Sequence, residues 1–317
     1  MSWALPIARR LVILAVSLFA ASLLAFAILA VLPGSTAQVI LGTQATPPSV
    51  AQLSQQLGLD KPLVTQYLDW AGGLLHGNLG TSYVSSQPIA GLLGPALAVT
   101  GPLILGGLVI GIVIAAPLGM ISAIRHDRMS GTAVSIGSQL GIAVPTFVGG
   151  LLLILVFAVK VRLLPATGFP GWSSSVPQAV RSLVLPSIAL GLAEGAILLR
   201  FVRAATLEVL RSDYYRTARA KGLRPLRALR RHGTRNVLIP VVTVLGLEIG
   251  GLIVGAIVVE NVFVLPGVGT LLLSEVNNRD LIGVQDIVLL ASAAVLVLNF
   301  LVDISYRLLD PRVGVGA

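Results

Sequence analysis

Residues Leu97–Ser122 read LAVTGPLILGGLVIGIVIAAPLGMIS, an apolar run without one charged side chain. About 20 such residues in a helix cross the roughly 30 Å hydrocarbon core of a bilayer, where every backbone polar group must be satisfied within the segment. Five further runs meet the same requirement: Leu11–Leu32, Thr132–Val159, Leu183–Leu199, Val237–Val259 and Val284–Val302. Composition agrees. Charged residues are 11% of the chain and hydrophobic ones 55%, with a mean hydropathy of +0.93. A soluble domain carries about a quarter charged residues to cover its surface. The expected fold class is therefore an all-α membrane protein with six transmembrane helices. The first run follows Arg9 and Arg10 and is longer than the apolar stretch of about 7–15 residues in a secretory signal. No small-x-small cleavage site follows it, so it reads as an uncleaved anchor.

The charges orient the spans. Of the 22 Lys and Arg residues, 17 fall on one side of the membrane, eleven of them between Arg200 and Arg235. The other side holds Lys61, Lys160, Arg162, Arg181 and Arg279. Positively charged loops stay in the cytoplasm, which places both termini inside. The net charge of +9 is thereby absorbed by topology and anionic lipid, and no nucleic-acid partner is expected. With no cysteine, and with His76, His126 and His232 scattered, neither a disulfide framework nor a metal site is expected. The chain has no G-x-S-x-G, H-E-x-x-H or phosphate-cradling G-x-x-x-x-G-K-[ST] motif, so a non-catalytic protein is expected. An ion-gradient-driven secondary transporter is a remote alternative, since such proteins usually show more spans and an internal repeat.

Two segments outside the spans stand out. The first, residues 33–96, is expected on the external face as a small helical subdomain. Ser49 can cap a helix that presents Val50, Leu53 and Leu57 and ends at Gly58. A second helix is expected from Pro62 to about Leu75, with Leu63, Tyr67, Ala71 and Leu74 on one side. The other segment is a cytoplasmic loop over residues 205–236. In it, Ser212-Asp-Tyr-Tyr-Arg-Thr-Ala-Arg-Ala-Lys-Gly222 has the parts of a short helix, with Ser212 or Asp213 to cap it and Gly222 to end it. Pro225 suits the start of the next helix. Small Ala218 and Ala220 would let a partner approach, and Tyr214 and Tyr215 offer rigid contact area. The plainer reading is that the basic residues hold the loop on anionic lipid.

The run Arg216–Gly222 (RTARAKG), continued by Val237-Leu-Ile-Pro240, resembles the cytoplasmic EAA-type loop of binding-protein-dependent ABC importers, and more narrowly that of the peptide/nickel permease group. Four other segments are similar to that group: the basic pair, apolar helix and Leu32-Pro33-Gly34; Leu57–Tyr83; GAIVVENVFVLPGVG over Gly255–Gly269; and LVDISYRLLDPR over Leu301–Arg312. Departures are Arg216-Thr217-Ala218 in place of Glu-Ala-Ala, and Ser35-Thr36 where Asp-Pro often follows Pro-Gly. The resemblance implies the type I importer permease fold in a bacterial inner membrane. Residues 1–32 would carry the N-terminal tip and first span, 97–312 a five-helix core, and 313–317 a tail. It further implies a coupling helix over Asp213, Tyr214, Tyr215, Arg216, Thr217, Ala218, Arg219, Ala220, Lys221 and Gly222. Implied partners are a second homologous permease, two cytoplasmic ABC ATPases that bind the ATP and Mg, and an extracytoplasmic solute-binding protein. The implied cargo is di- or oligopeptides, with nickel chelates or glutathione as the alternative.

Glu194, Glu248 and Asn299 lie inside expected spans, where a charge is costly and faces the protein interior or a wet pathway. Glu248, between Gly246 and Gly250, reads either as a pathway residue meeting an amine or cation, or as a member of an internal pair. Glu260 ends the fifth span at a family motif position and reads as structural or gating before ligand-contacting. Gly107/Gly111, Gly137/Gly141, Gly246/Gly250 and Gly251/Gly255 permit close helix packing, and Pro102, Pro117, Pro145 and Pro186 mark sites for kinks.

Overall fold

The computed structural model describes residues 4–31 and 35–309. Leu32-Pro33-Gly34, the Asp310-Pro-Arg312 end of the last motif and the 313–317 tail lie outside the described residues. Among the described residues thirteen α-helices follow one another: α1 (Ala4–Val31), α2 (Thr36–Leu41), α3 (Pro47–Gln56), α4 (Leu63–Leu75), α5 (Ile89–Ile124), α6 (Met129–Ala143), α7 (Thr146–Leu153), α8 (Val176–Arg211), α9 (Asp213–Ala220), α10 (Pro225–Ala228), α11 (Thr234–Phe263), α12 (Val268–Asn277) and α13 (Leu281–Leu309). Five stretches among the described residues are long and apolar enough to cross a membrane: Ala8–Ile28, Ile89–Ile124, Val176–Arg211, Pro225–Phe263 and Leu281–Val302. A sixth crossing exists if α6 and the helix after it count as one broken span.

The expected Thr132–Val159 span, with a kink site at Pro145, is broken there rather than gently kinked. Met129–Ala143 and Thr146–Lys160 are bent by 101°. Pro145 has no N–H to donate and disfavours helical geometry at the residue before it. Val144 accordingly sits at φ −82, ψ 117, and the chain resumes helically at Thr146 and closes in wide π turns over Ile154–Lys160.

The chain divides into two compact units, Met1–Thr100 with Pro266–Val297, and Gly101–Leu265 with Leu298–Ala317. In the first, α3 begins three residues earlier than expected. Thr46 is the cap and Ser49 its reciprocal partner: the Ser49 N–H donates to Thr46 Oγ1 at 3.4 Å and the Thr46 N–H to Ser49 Oγ at 2.9 Å. Helix α4 runs as expected and stacks on α1 through Phe26, Tyr67 and Trp70, with Phe26 edge-on to Tyr67 at 5.5 Å. Ile89, Leu93 and Ile287 form the buried core beneath. The turn Ser82–Val84 is tied to Asp280, which is fully buried and accepts from Ser82 Oγ at 2.5 Å and the Val84 N–H at 3.2 Å. Burial, reinforced by the neighbouring Asp280, pushes the Glu275 carboxyl up from its ordinary value.

Trp70 Nε1 donates to Asp286 Oδ1 at 2.7 Å, while Asp286 Oδ2 is sealed from solvent without a partner among the described residues. Trp70→Phe leaves a buried acid with neither oxygen satisfied, a cost of about 1–3 kcal/mol. The expected result is a lower unfolding temperature of the purified protein in detergent, largely restored when Asp286→Leu is added. No recovery in the double variant would show that the indole acts through packing alone.

In the second unit α8 is central: 72% of its most apolar window is buried, against 17–28% for the other spans. It packs most extensively on α11 and approaches α5 closely along a seam of small residues. A Cβ on Gly107 would come within 2.8 Å of Leu190, and one on Gly119 within 2.7 Å of Val202. The expected close packing thus holds at Gly107, Gly111, Gly141, Gly246 and Gly255, whereas Gly137 and Gly250 border open space.

Candidate functional site

Helix α9 ends as its sequence predicts and begins differently. Ser212 caps it in extended geometry, but its hydroxyl donates backwards to the Val209 carbonyl at 2.6 Å instead of accepting from the helix amides. At the other end Gly222 takes φ +84. The Gly222 N–H donates to Arg219 O at 3.0 Å and the Leu223 N–H to Ala218 O at 3.4 Å. This pair of bonds satisfies the terminal carbonyls and needs a left-handed residue that only glycine supplies without strain. The chain turns sharply into α10, whose Pro225 fits a first helical position.

The ten candidate residues of this loop divide into two faces. Tyr215 and Ala218 are buried, packed with Val202, Ala205 and Val209 of α8, Ala228, Leu229 and Val237. They hold α9 on the protein and are not available to a partner, contrary to the contact role read from the sequence. Burial pushes the Tyr215 phenol up from its ordinary value, with Arg219 opposing. Asp213, Tyr214, Arg216, Thr217, Arg219, Ala220, Lys221 and Gly222 are exposed. Tyr214 remains a contact candidate, its hydroxyl accepting from Asn236 Nδ2 at 2.7 Å, which fixes the ring against α11. The Asp213–Arg216 pair at 3.7 Å is solvent-exposed and contributes little. Beyond α10, Arg224, Arg227, Arg230 and Arg231 line an open basic groove with Leu226. The whole segment therefore presents a rigid helix with one polar face, anchored by an apolar one.

The intramembrane acids do not form one site. Glu248 and Glu260 both lie on α11, twelve residues and about 18 Å apart along the axis. Glu260 is fully buried and Glu248 half-buried. Glu194 of α8, the other intramembrane glutamate, is 5% exposed, and its Oε1 has no hydrogen-bond partner among the described residues. It lies within the electrostatic reach of Glu248. The signal in the sequence was an acid in each of two apolar runs, Leu183–Leu199 and Val237–Val259, that hold no Lys, Arg or His; it marks each acid but not their proximity.

Residues 115–315 match the family model of the inner membrane component of binding-protein-dependent transport systems, and residues 5–97 match the N-terminal model of such components. The chain belongs to this family. It is similar to the di/tripeptide transport system permease of Pseudomonas aeruginosa, at 38% identity over 97% of this chain and 98% of that one. A putative peptide permease of Brucella ovis is 37% identical over the same shares. The glutathione transport system permease of Escherichia coli K12 is 37% identical over 96% and 97%. The resemblance to the peptide/nickel permease group holds across the chain. The permease is a multi-pass inner-membrane subunit of an ABC importer, and its apolar helices fit the type I permease fold.

Proposed function

We propose that this permease forms half of a translocation pathway for di- or oligopeptides, powered by ATPase subunits that bind and hydrolyse ATP with Mg on its cytoplasmic side. The observation that supports this most is the near full-length similarity to permeases described as di/tripeptide, peptide and glutathione transporters. Glutathione, itself a peptide, is the second reading on the strength of the last of these. Nickel chelates remain the alternative within the same importer class.

Both termini lie in the cytoplasm in this reading, which the 17-to-5 distribution of basic residues supports. Residues 33–96 then face outward as the landing surface for a solute-binding protein, and residues 97–312 carry the transmembrane core. The coupling element is Asp213–Gly222. Its exposed residues Asp213, Tyr214, Arg216, Thr217, Arg219, Ala220 and Lys221 would seat in a groove of the ATPase, and the arginine groove beside it would meet acidic side chains there. Tyr215 and Ala218 act differently, by transmitting displacement of α9 into α8 and the α10–α11 segment through the core they share. Two such permeases and two ATPases complete the assembly. Glu248 lies along the pathway, and Glu260, fully buried at the end of α11, acts in gating or support.

Affinity purification of the tagged permease in mild detergent, followed by mass spectrometry, tests the assembly. Recovery of ATPase subunits, a second permease and a solute-binding protein is expected, and ligand screening on that binding protein then identifies the cargo. Recovery of this chain alone, as a homo-oligomer with no ATPase, would refute the proposal.

A further inference from the structure

The six apolar runs of the sequence hold three acids, Glu194, Glu248 and Asp286, and no Lys, Arg or His. Asp286 has the indole of Trp70 as a donor. Glu194 and Glu248 have no such partner among the described residues, and they act on each other electrostatically from the neighbouring helices α8 and α11. Glu194 is 5% exposed with a sealed, unpartnered Oε1. Glu248 is half-buried. Its Oε2 lies 3.5 Å from where a Cβ on Gly251 would stand.

Gly251 belongs to an open face of α11. Thr243, Leu247, Gly251, Val254, Val258 and Asn261 are all exposed, at the three- and four-residue intervals of one helical stripe. Gly250 beside them borders open space. The Glu248 carboxylate therefore reaches the edge of the open face, over a surface kept bare by glycine, with Glu194 toward the protein interior.

Two neighbouring carboxylates at membrane depth repel each other and are poorly solvated, and no side chain in these spans compensates them. One positive charge between them relieves both penalties. We propose that Glu194 and Glu248 form a binding site for a single ammonium group, the free N-terminus of a peptide cargo, which Glu248 contacts from the open face while Glu194 fixes the charge from behind. This rests on the peptide reading above and adds the chemical group by which the permease itself recognises its cargo. An ammonium carries three donors for the carboxylate oxygens, and the bare glycine surface leaves room for it. Acetylation of the amine removes the charge and the match.

The test uses the assembled importer in detergent and dicyclohexylcarbodiimide, a carboxyl reagent active in apolar surroundings, with the modified peptides read by mass spectrometry. Labelling at Glu194 or Glu248 is expected. Trialanine and methylammonium should each lower it about tenfold, as loss of a charge-assisted contact predicts, and N-acetyltrialanine less than about twofold. Glu248→Gln should remove the protection at Glu194, and Glu248→Asp should retain it. Absent labelling, labelling that neither amine lowers, or equal protection by N-acetyltrialanine overturns the assignment. Protection by methylammonium but not by trialanine upholds the ammonium site and counts against the peptide cargo, which wild-type uptake of trialanine tests separately.

Discussion

Gly222→Pro permease reaches the membrane in normal amount and transports nothing. Gly222 sits at φ +84, and proline is locked near −65°. The same substitution deletes the N–H that bonds Arg219 O at 3.0 Å. The end of α9 cannot close, so the chain from Ala218 to Pro225 must take another course and the exposed face of α9 is displaced from its partner. Gly222→Ala separates the two effects. A Cβ there meets nothing within 4 Å, so only the left-handed strain of about 1–2 kcal/mol remains. Transport should be reduced in this variant but present. Uptake by right-side-out vesicles or proteoliposomes, with the binding protein outside and compared with the amount of protein inserted, measures both. Wild-type transport by the proline variant would show that α9 does not couple the permease to its motor.

The second large effect is on stability, at the seam between α5 and α8. Gly191→Leu should lower the unfolding temperature sharply and reduce the folded protein recovered in detergent. Even its Cβ would stand 2.7 Å from Ile110 and 2.8 Å from the Gly107 carbonyl. The carbonyl belongs to a helix backbone and cannot yield as a side-chain end can. Overpacking of this kind costs about 3 kcal/mol or more when the neighbour is fixed. Gly137→Leu is the control, because nothing lies within 4 Å of its Cβ, and it should be close to neutral. Unfolding followed by size-exclusion chromatography after heating distinguishes them. Equal behaviour of the two variants would contradict the close α5–α8 approach.

What was legible in the sequence follows from how local each constraint is. A bilayer demands an apolar run of fixed length, so each span shows itself independently of the rest of the chain. The stop of α9 at Gly222 was equally readable, since a left-handed residue is set by its own backbone. Pro145 was legible as a kink, but not the 101° bend, because how far the next segment swings depends on what it packs against. The two faces of α9 were not legible either. Tyr215 and Ala218 are buried by Val209 and Leu229, residues on other helices, and the amphipathic pattern of eight residues is too short to say which side is inward. The Trp70–Asp286 bond joins residues 216 positions apart, and nothing local to either signals the other. Glu194 was visible as an intramembrane acid, but its pairing with Glu248 required knowing that α8 and α11 are neighbours.

The central claim is that this chain is a passive half-pathway driven by separate ATPases. Proteoliposomes carrying the permease with its partner permease and ATPases, with ATP inside and the solute-binding protein outside, test it directly through uptake of labelled peptide. Uptake that requires both ATP and the binding protein, and that survives collapse of all ion gradients by ionophores, is the predicted result. Uptake by this chain alone, following an imposed ion gradient and indifferent to ATP, would contradict it.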